Sequence, residues 1–419
     1  MRRDPLELFS RLAREYGDIV QFRLGEHEHA IYLVNHPELI KHVLVTNDRF
    51  FTKWFAVDRL KEVLGNGLFV SEGEFHLQQR RLSQPAFHRD RVAAYAKQMV
   101  AHALTLRGRW HDGETIDISR EMNWLAMMIV GSTLFGANME ADAAAVRDSL
   151  GEILDQFERS MLPHADREDF ERAMQRIDDA VYRIVQERRK SGEDRGDLLS
   201  MLLRAHETEG EGARMTDLQL RDEAMTIFLA GHETSANAMA FTWYLLSQHP
   251  EIETEFHREV DQKLGGREPT IDDLPELALT GRIFSEAIRL YPPLWAIGRR
   301  AMEEVQIGEH TIRAGSVIIL CQYVTHRDPR WYPEPTRFDP ERWHPAARNE
   351  RPRFSYFPFS AGSRACLGEA FAGVEGVLCL ASIAQKWKLN LERGAKVALQ
   401  PQLTLRPRNG IRMQVEARH

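Results

Sequence analysis

Cysteine is scarce in this chain, with three in 419 residues: Cys321, Cys366 and Cys379. No two of them form a close metal-ligand pair, and three cannot build a disulfide framework, so zinc-module and disulfide-scaffold readings fall away. Apolar runs are short as well, and none approaches the ~18 residues that a bilayer-crossing helix needs. There is no basic excess either: 55 lysines and arginines against 62 acids leave a net charge of −7, the wrong sign for a nucleic-acid partner. A Gly-x-Gly-x-x-Gly unit between a strand and a helix is missing, which argues against a built-in flavin or nicotinamide domain of that type. Repeats, low-complexity tracts and obvious linkers are absent. The opening "MRRDPLELFSRLAREYGD" is too charged for a secretory signal. These absences point to a soluble, cytoplasmic protein with no membrane span. Its 43% hydrophobic content suffices for a large core, and length alone would suggest two or three domains.

What the sequence does have is helical periodicity. Residues 18–34, "GDIVQFRLGEHEHAIYL", alternate apolar positions around a glycine and read as a β-hairpin. "HPELIKHVLV" follows with a proline start and helical spacing. From about 90 to 300 the pattern is mainly helical, with polar breaks at 188–197, 206–217 and 263–273. The first break, "RRKSGEDRGD", reads as a solvated loop. "TIRAGSVIILCQYVTHRD" reads as a hairpin and then a helix start, and "LTLRPRNGIRMQVEA" as a strand-like tail turned at Asn-Gly. The expected class is mainly α with small β-sheets, α+β.

One stretch of small residues, "FSAGSRACLGEA" at 359–370, places Cys366 where a loop becomes a helix. Alone, a cysteine among small residues is an ordinary core residue. Here the surroundings carry chemistry. A helix start supplies free N–H groups and a positive dipole end, which favour a thiolate. Gly362 and Gly368 remove side chains where a flat cofactor would need close backbone. Arg364 is placed to pair with an anionic group, and Phe359 to shield the sulfur. Such a site suits one axial thiolate on haem iron.

At this point the chain resembles the cytochrome P-450 superfamily of haem-thiolate monooxygenases, in a soluble bacterial-type form. The family's Phe-x-x-Gly-x-Arg-x-Cys-x-Gly pattern is met at Phe359, Gly362, Arg364, Cys366 and Gly368. The resemblance implies that Cys366 is the iron ligand, that Arg364 meets a haem propionate, and that Phe359 packs beside the sulfur. The implied cofactor is haem b, iron protoporphyrin IX, with O2 as co-substrate.

Three further segments fit the same family, in its order. "FSEAIRLYPP" sets Glu286 and Arg289 three residues apart on one helix face; in the family this pair is buried and joined by a later arginine, which "FDPERW" supplies as Arg342. Those three are expected to be structural. "DEAMTIFLAGHETSANAMAFTWYLLSQHP" reads as a long central helix with its middle disturbed by Gly231, Glu233 and Thr234. There the Ala/Gly-Gly-x-Asp/Glu-Thr pattern matches, so Ala230 and Gly231 are expected to let the helix approach the haem. The resemblance makes Thr234 the dioxygen-stabilising hydroxyl and Glu233 part of the proton path, with His232 facing away. A side-chain bond from Thr234 to a carbonyl one turn earlier is expected to open the helix ladder. For the propionates, "EFHLQQRRLSQPAF" offers His76 and Arg80, where many members have tryptophan in place of His76, and "PPLWAIGRRAMEEV" offers Arg299 with Arg300 as its rival.

A site drawn from residues 76 to 366 requires one large domain, so 1–419 is read as a single haem domain with no fused reductase. Electrons must then come from a separate donor, a ferredoxin or flavodoxin with its reductase. By family analogy it docks on the thiolate side, where Arg80, Arg81, Arg89 and Arg91 are either an attractive patch or a solvated helix face. A lipophilic small-molecule substrate is expected among Leu229, Ala230, Leu294, Trp295 and Ile297, with Trp54 and Phe55 as further candidates; Trp295 reads equally as core. The implied reaction is hydroxylation or epoxidation. A peroxide-driven peroxygenase and a non-catalytic haem-thiolate sensor are the alternatives, and "AGHET" disfavours the first.

Overall fold

The computed structural model describes residues 4–418 except 24–29, 55–56, 58, 141–144, 147, 150, 154–166 and 208–214. Its helices of ten or more residues are α1 (Pro5–Tyr16), α2 (Gly73–Ser83), α3 (Arg89–Arg109), α4 (Ile118–Leu134), α5 (Arg167–Ser191), α6 (Leu198–Glu207), α7 (Asp217–Gln248), α8 (Pro250–Leu264), α9 (Ala278–Leu290) and α10 (Glu369–Ala384). The strands are β1 (Ile19–Phe22), β2 (Ile31–Val34), β3 (Phe51–Lys53), β4 (Thr115–Asp117), β5 (Ile297–Ala301), β6 (Val305–Ile307), β7 (His310–Ile312), β8 (Val317–Leu320), β9 (Trp387–Leu391), β10 (Leu399–Pro401), β11 (Leu405–Pro407) and β12 (Arg412–Ala417). Helix dominates and the sheets are small, as expected.

Helix α7 organises the rest. Thr216 and Gln219 form a reciprocal capping box at its start, and Pro250 follows His249 at its end. Its 32 residues span roughly 48 Å. Leu220 through Leu229 are all buried, as befits a helix covered on every side. The backbone stays helical across Ala230–Thr234, so the expected disturbance leaves the helix continuous. Helix α4 packs closely on it: a Cβ at Gly231 would lie 3.0 Å from Val130. Helix α10 packs on α9, where a Cβ at Gly376 would lie 2.4 Å from the Phe284 ring.

A five-stranded sheet runs β1-β2-β8-β5-β3, with β2 and β8 parallel and the other neighbours antiparallel. The first hairpin is therefore present. The second expected hairpin is not: β7 pairs with β6 in a separate ribbon, while β8 sits between β2 and β5. Burial explains this, since all four residues of β8 are buried and such a strand needs neighbours on both edges. The tail differs similarly. Gly410 does turn, at φ 73°, but β11 pairs with β10 and β12 with β4 and β9. The "solvated" loop at 188–197 is also corrected. Arg188 and Asp197 are buried and joined by bonds of 2.7 and 2.8 Å, with further Arg188 bonds to the Ser200 hydroxyl and Phe135 carbonyl. Only its middle faces water, because the two charged ends neutralise each other in the core.

Candidate active site

The loop before α10 is shaped by backbone bonds. The Cys366 N–H donates to Phe359 O at 2.9 Å, and Ala365 N–H to Gly362 O at 3.1 Å. Gly362 has φ +68°, and a Cβ there would lie 1.9 Å from the Leu44 carbonyl. The glycine is thus demanded by the turn at His42–Thr46, not by a cofactor face as the sequence suggested. Gly368 differs: its absent Cβ would sit 3.9 Å from the Cys366 sulfur and 4.0 Å from Phe87. Solvent reaches Cys366, yet protein surrounds it on most sides, and that burial pushes its thiol up. Glu369 adds to the rise, whereas the Gly368 amide and Arg80 pull the other way. Phe359 is half-buried and packs on the main core.

Beyond the loop, cations collect. In the antiparallel pair of β3 and β5, Lys53 stands directly opposite Arg299, which puts both side chains on one face. Alternation along β5 buries Arg299, on the face of Lys53, and exposes Arg300 on the opposite face. Arg364 donates to Ser71 O at 2.6 Å and pairs with Glu72. Arg80 donates to Ala365 O at 2.7 Å, and Arg81 is exposed. Burial, then Arg364, pushes Arg299 down to about 10. Burial, then Arg364, holds Lys53 well below the lysine range, with Glu72 opposing. His76 falls to about 4 through burial and the charges of Arg364 and Lys53. Its shorter contact is Nδ1 to Leu68 O, 3.1 Å, against 3.5 Å from Nε2 to Ser363 O. A neutral ring can donate to only one of these two carbonyls, so a propionate beside His76 would compete with them for its single N–H. Lys53 is the residue the sequence reading missed; a three-residue strand, Phe-Thr-Lys, is too short to carry a local signal for it.

On the other side, Ala230 is exposed and Gly231 and Thr234 are half-buried in an otherwise buried stretch of α7. A Cβ at Gly231 would meet Val130 of α4, so contact with that helix also requires the glycine. Thr234 Oγ1 donates to Ala230 O at 2.7 Å. Glu233 is buried and accepts a 2.8 Å bond from Thr404 Oγ1. Burial drives its carboxyl up, opposed by Thr404 and by Arg406. His232 stacks on Phe228 at 6.3 Å. Ser235, directly after Thr234, donates to Glu375 of α10 at 2.5 Å, which pins α7 to the helix that follows Cys366. Six residues separate Glu375 from the start of α10, about 9 Å of helix.

The buried trio comes together. Glu286 accepts two 2.7 Å bonds from Arg289, 2.9 Å from Trp343 Nε1 and 3.0 Å from Asp339 N, with Arg342 Nε 3.5 Å away. Arg289 also donates to the His326 carbonyl at 2.7 Å. His326, held neutral by burial and by Arg289, accepts from Phe357 N at 3.1 Å. That bond carries the lock into the cysteine loop, and His326 was not foreseen.

Of the substrate-side candidates, Leu229 and Ile297 are buried and Leu294 half-buried. Leu294 packs on the sheet face that carries Ile297, whereas Trp295 packs with Phe9, Val317 and Trp54 against the other face. Trp295 donates to Gln402 O at 2.7 Å and stacks on Phe9 at 6.1 Å. Its core reading is therefore favoured, and Trp54, beneath Gly298, shares that face. Phe55 lies outside the described residues.

The donor set fits a haem. One thiol stands alone with an amide and an arginine beside it, and Lys53, Arg80, Arg299 and Arg364 cluster against Glu72 and Asp48. Unbalanced buried positive charge requires anions, and haem brings two carboxylates. A thiol, a cation cluster and a buried acid beside a hydroxyl on the central helix define a thiolate-ligating haem oxidoreductase. Comparison with known proteins agrees. The cytochrome P450 family model matches residues 1–415. Cyclooctat-9-en-7-ol 5-monooxygenase of Streptomyces melanosporofaciens is 40% identical over 397 residues, 92% of this chain and 85% of that one. Pentalenene oxygenase of Streptomyces avermitilis is 35% identical over 95% of this chain and 89% of its own. The crystal structure of the cytochrome P450DA heme domain superposes with a TM-score of 0.91 at 28% identity, covering 99% of this chain and 93% of that one. The chain belongs to the cytochrome P450 family. It is a haem-thiolate monooxygenase, an oxidoreductase that depends on haem iron, O2, a redox partner and a hydrophobic substrate. No described helix is long and apolar enough to cross a membrane.

Proposed function

We propose that residues 1–419 form one haem b domain that oxygenates an unsaturated hydrocarbon or alkenol of terpenoid type. The observation that carries the cofactor assignment is the cation cluster beside the Cys366 loop, whose excess charge suits two propionates. The substrate class is supported by what the relatives' names say they act on, pentalenene and cyclooctat-9-en-7-ol, together with the apolar Leu229 and Leu294. When bound, the haem supplies reductive O2 activation, with the Cys366 thiolate favouring O–O cleavage.

The chain's own residues do the rest. The Gly368 amide and Arg80 stabilise negative charge on the Cys366 sulfur. Arg80, Arg299 and Arg364, with Lys53, hold the propionates. Thr234 offers a hydroxyl whose own proton is engaged by Ala230 O, and Glu233 hands protons inward from its buried position. Leu229, Ala230 and Leu294 present apolar surface to the substrate. Glu286, Arg289 and Arg342 keep the cysteine loop in place. The electron donor is a separate ferredoxin or flavodoxin, attracted by the exposed Arg81, Arg89 and Arg91, in the cytoplasm.

A spectral-shift screen of the ferric protein tests the substrate class. Cyclic alkenes and alkenols are expected to shift the haem band at micromolar concentration, fatty acids of equal carbon number not to do so. The reverse ranking would reject the terpenoid assignment. Thr234→Ala is expected to consume O2 with little product. Equal turnover on peroxide alone would favour a peroxygenase instead.

A further inference from the structure

The mechanism leaves one contact of Glu233 unused. Thr404 lies in the tight turn between β10 and β11, far from α7 in sequence, and is buried. The turn is tethered at three points. Leu405 N–H donates to Pro293 O at 2.8 Å, Trp295 Nε1 donates to Gln402 O at 2.7 Å, and Thr404 Oγ1 donates to Glu233 Oε1 at 2.8 Å. The first two anchors belong to the segment after α9, beside Leu294.

The direction of the third bond is set by a fourth group. Asn237 stands one turn after Glu233 on the same face of α7, and its Nδ2 donates to Thr404 Oγ1 at 3.4 Å. A hydroxyl has one proton and two acceptor sites. With Asn237 donating to the oxygen, the Thr404 proton points at the Glu233 carboxyl. The acid is held between its own helix and a hairpin whose other anchors touch the substrate-side segment.

We propose that Thr404 is a positioning residue for proton delivery, reaching over from the C-terminal hairpin to fix the Glu233 carboxyl in one orientation. This rests on the assignment of Glu233 to the proton path. The acid gives up one proton inward and regains one from solvent, and Thr404 returns it to the same geometry each time. Three groups act on this carboxyl: Thr404 by its hydrogen bond, Arg406 by its charge, and the surrounding apolar burial. The other buried acid that meets this stretch of α7, Glu375, is engaged by Ser235.

The test uses haem-loaded protein and the variants E233Q, T404V and T404S. The infrared carbonyl stretch of a protonated carboxyl, assigned to Glu233 by its loss in E233Q, is followed with pH. Product formed per O2 consumed is measured beside it. Because the Thr404 hydroxyl stabilises the carboxylate, its removal in T404V is expected to shift the band and move its disappearance to higher pH. Coupling should fall about tenfold, short of the ~10²-fold that loss of a proton-transfer group costs. T404S is expected to restore both. If T404V does not fold, T404A takes its place. An unmoved band, or a moved band with coupling intact while E233Q uncouples, overturns the positioning role. If E233Q itself leaves coupling unchanged, the proton-path assignment falls and this proposal with it, whatever the band does.

Discussion

Replacing Glu286 by alanine is the sharpest perturbation of the scaffold. Both Glu286 and Arg289 have no exposed side-chain surface. The substitution leaves the Arg289 guanidinium with the carbonyls of His326, Pro335 and Arg337 and the face of Tyr332, but without a full negative charge. It also strands Trp343 Nε1 and Asp339 N, both now bonded to the carboxylate. Removing one partner of a buried pair costs about 3–5 kcal/mol, a large share of the ~5–15 kcal/mol that holds a typical domain together. The comparison is Glu341→Ala, which breaks the Arg282–Glu341 pair at 2.9 Å, where Glu341 is 64% exposed. That pair is screened and should be worth less than about 1 kcal/mol. Urea midpoints of the haem-loaded proteins, followed by tryptophan fluorescence and by the haem band, provide the measurement. The double variant Glu286→Leu/Arg289→Met should recover part of the loss, because the fully buried guanidinium leaves with its partner and only Arg342, at the margin of the pocket, is left facing the site without a carboxylate. The reasoning fails if Glu286→Ala costs no more than Glu341→Ala, or if the double variant is less stable than the single.

Three further outcomes are expected. Arg299→Met should speed haem loss to an acceptor protein several-fold while Arg300→Ala leaves it unchanged; equal effects would contradict the alternation along β5. Gly362→Ala should destabilise the protein by more than the roughly 1–2 kcal/mol of a left-handed non-glycine residue, since its Cβ also meets the Leu44 carbonyl; a thermal midpoint within a degree of the parent would contradict that. Burial raises Glu375 to about 8, above its unfolded value of ~4.3. The folded state therefore holds a proton that the unfolded chain has lost, and stability drains away as pH rises toward 8. Glu375→Gln should remove that drain, so its advantage over the parent grows from pH 5 to pH 8; a constant difference would show that the carboxyl titrates normally.

Much of this was legible because it is local. The Cys366 segment, the Glu286–Arg289 spacing and the "AGHET" motif are each written within a turn or two of chain, and periodicity marked α7 from Asp222 onward, though not its capped first turn at Asp217. Pairings that depend on burial were not. Nothing in "TIRAGSVIIL" says that β8 will leave β7 for β2 and β5. Nothing in "RRKSGEDRGD" says that its first and last charges meet in the core.

The same division runs through the site. By itself the sequence singled out Cys366, the helix that bears Glu233 and Thr234, and the Glu286–Arg289 pair. Tertiary structure alone decided that Lys53 stands opposite Arg299, that Gly231 serves α4 and Gly362 the Leu44 turn, and that Trp295 packs away from Leu294. It also decided that Thr404, 171 residues beyond Glu233 in the chain, holds the acid. The reason is physical: short-range sterics and hydrogen bonding act along the chain, whereas burial and charge act through space and are set only once distant segments share the same dry interior.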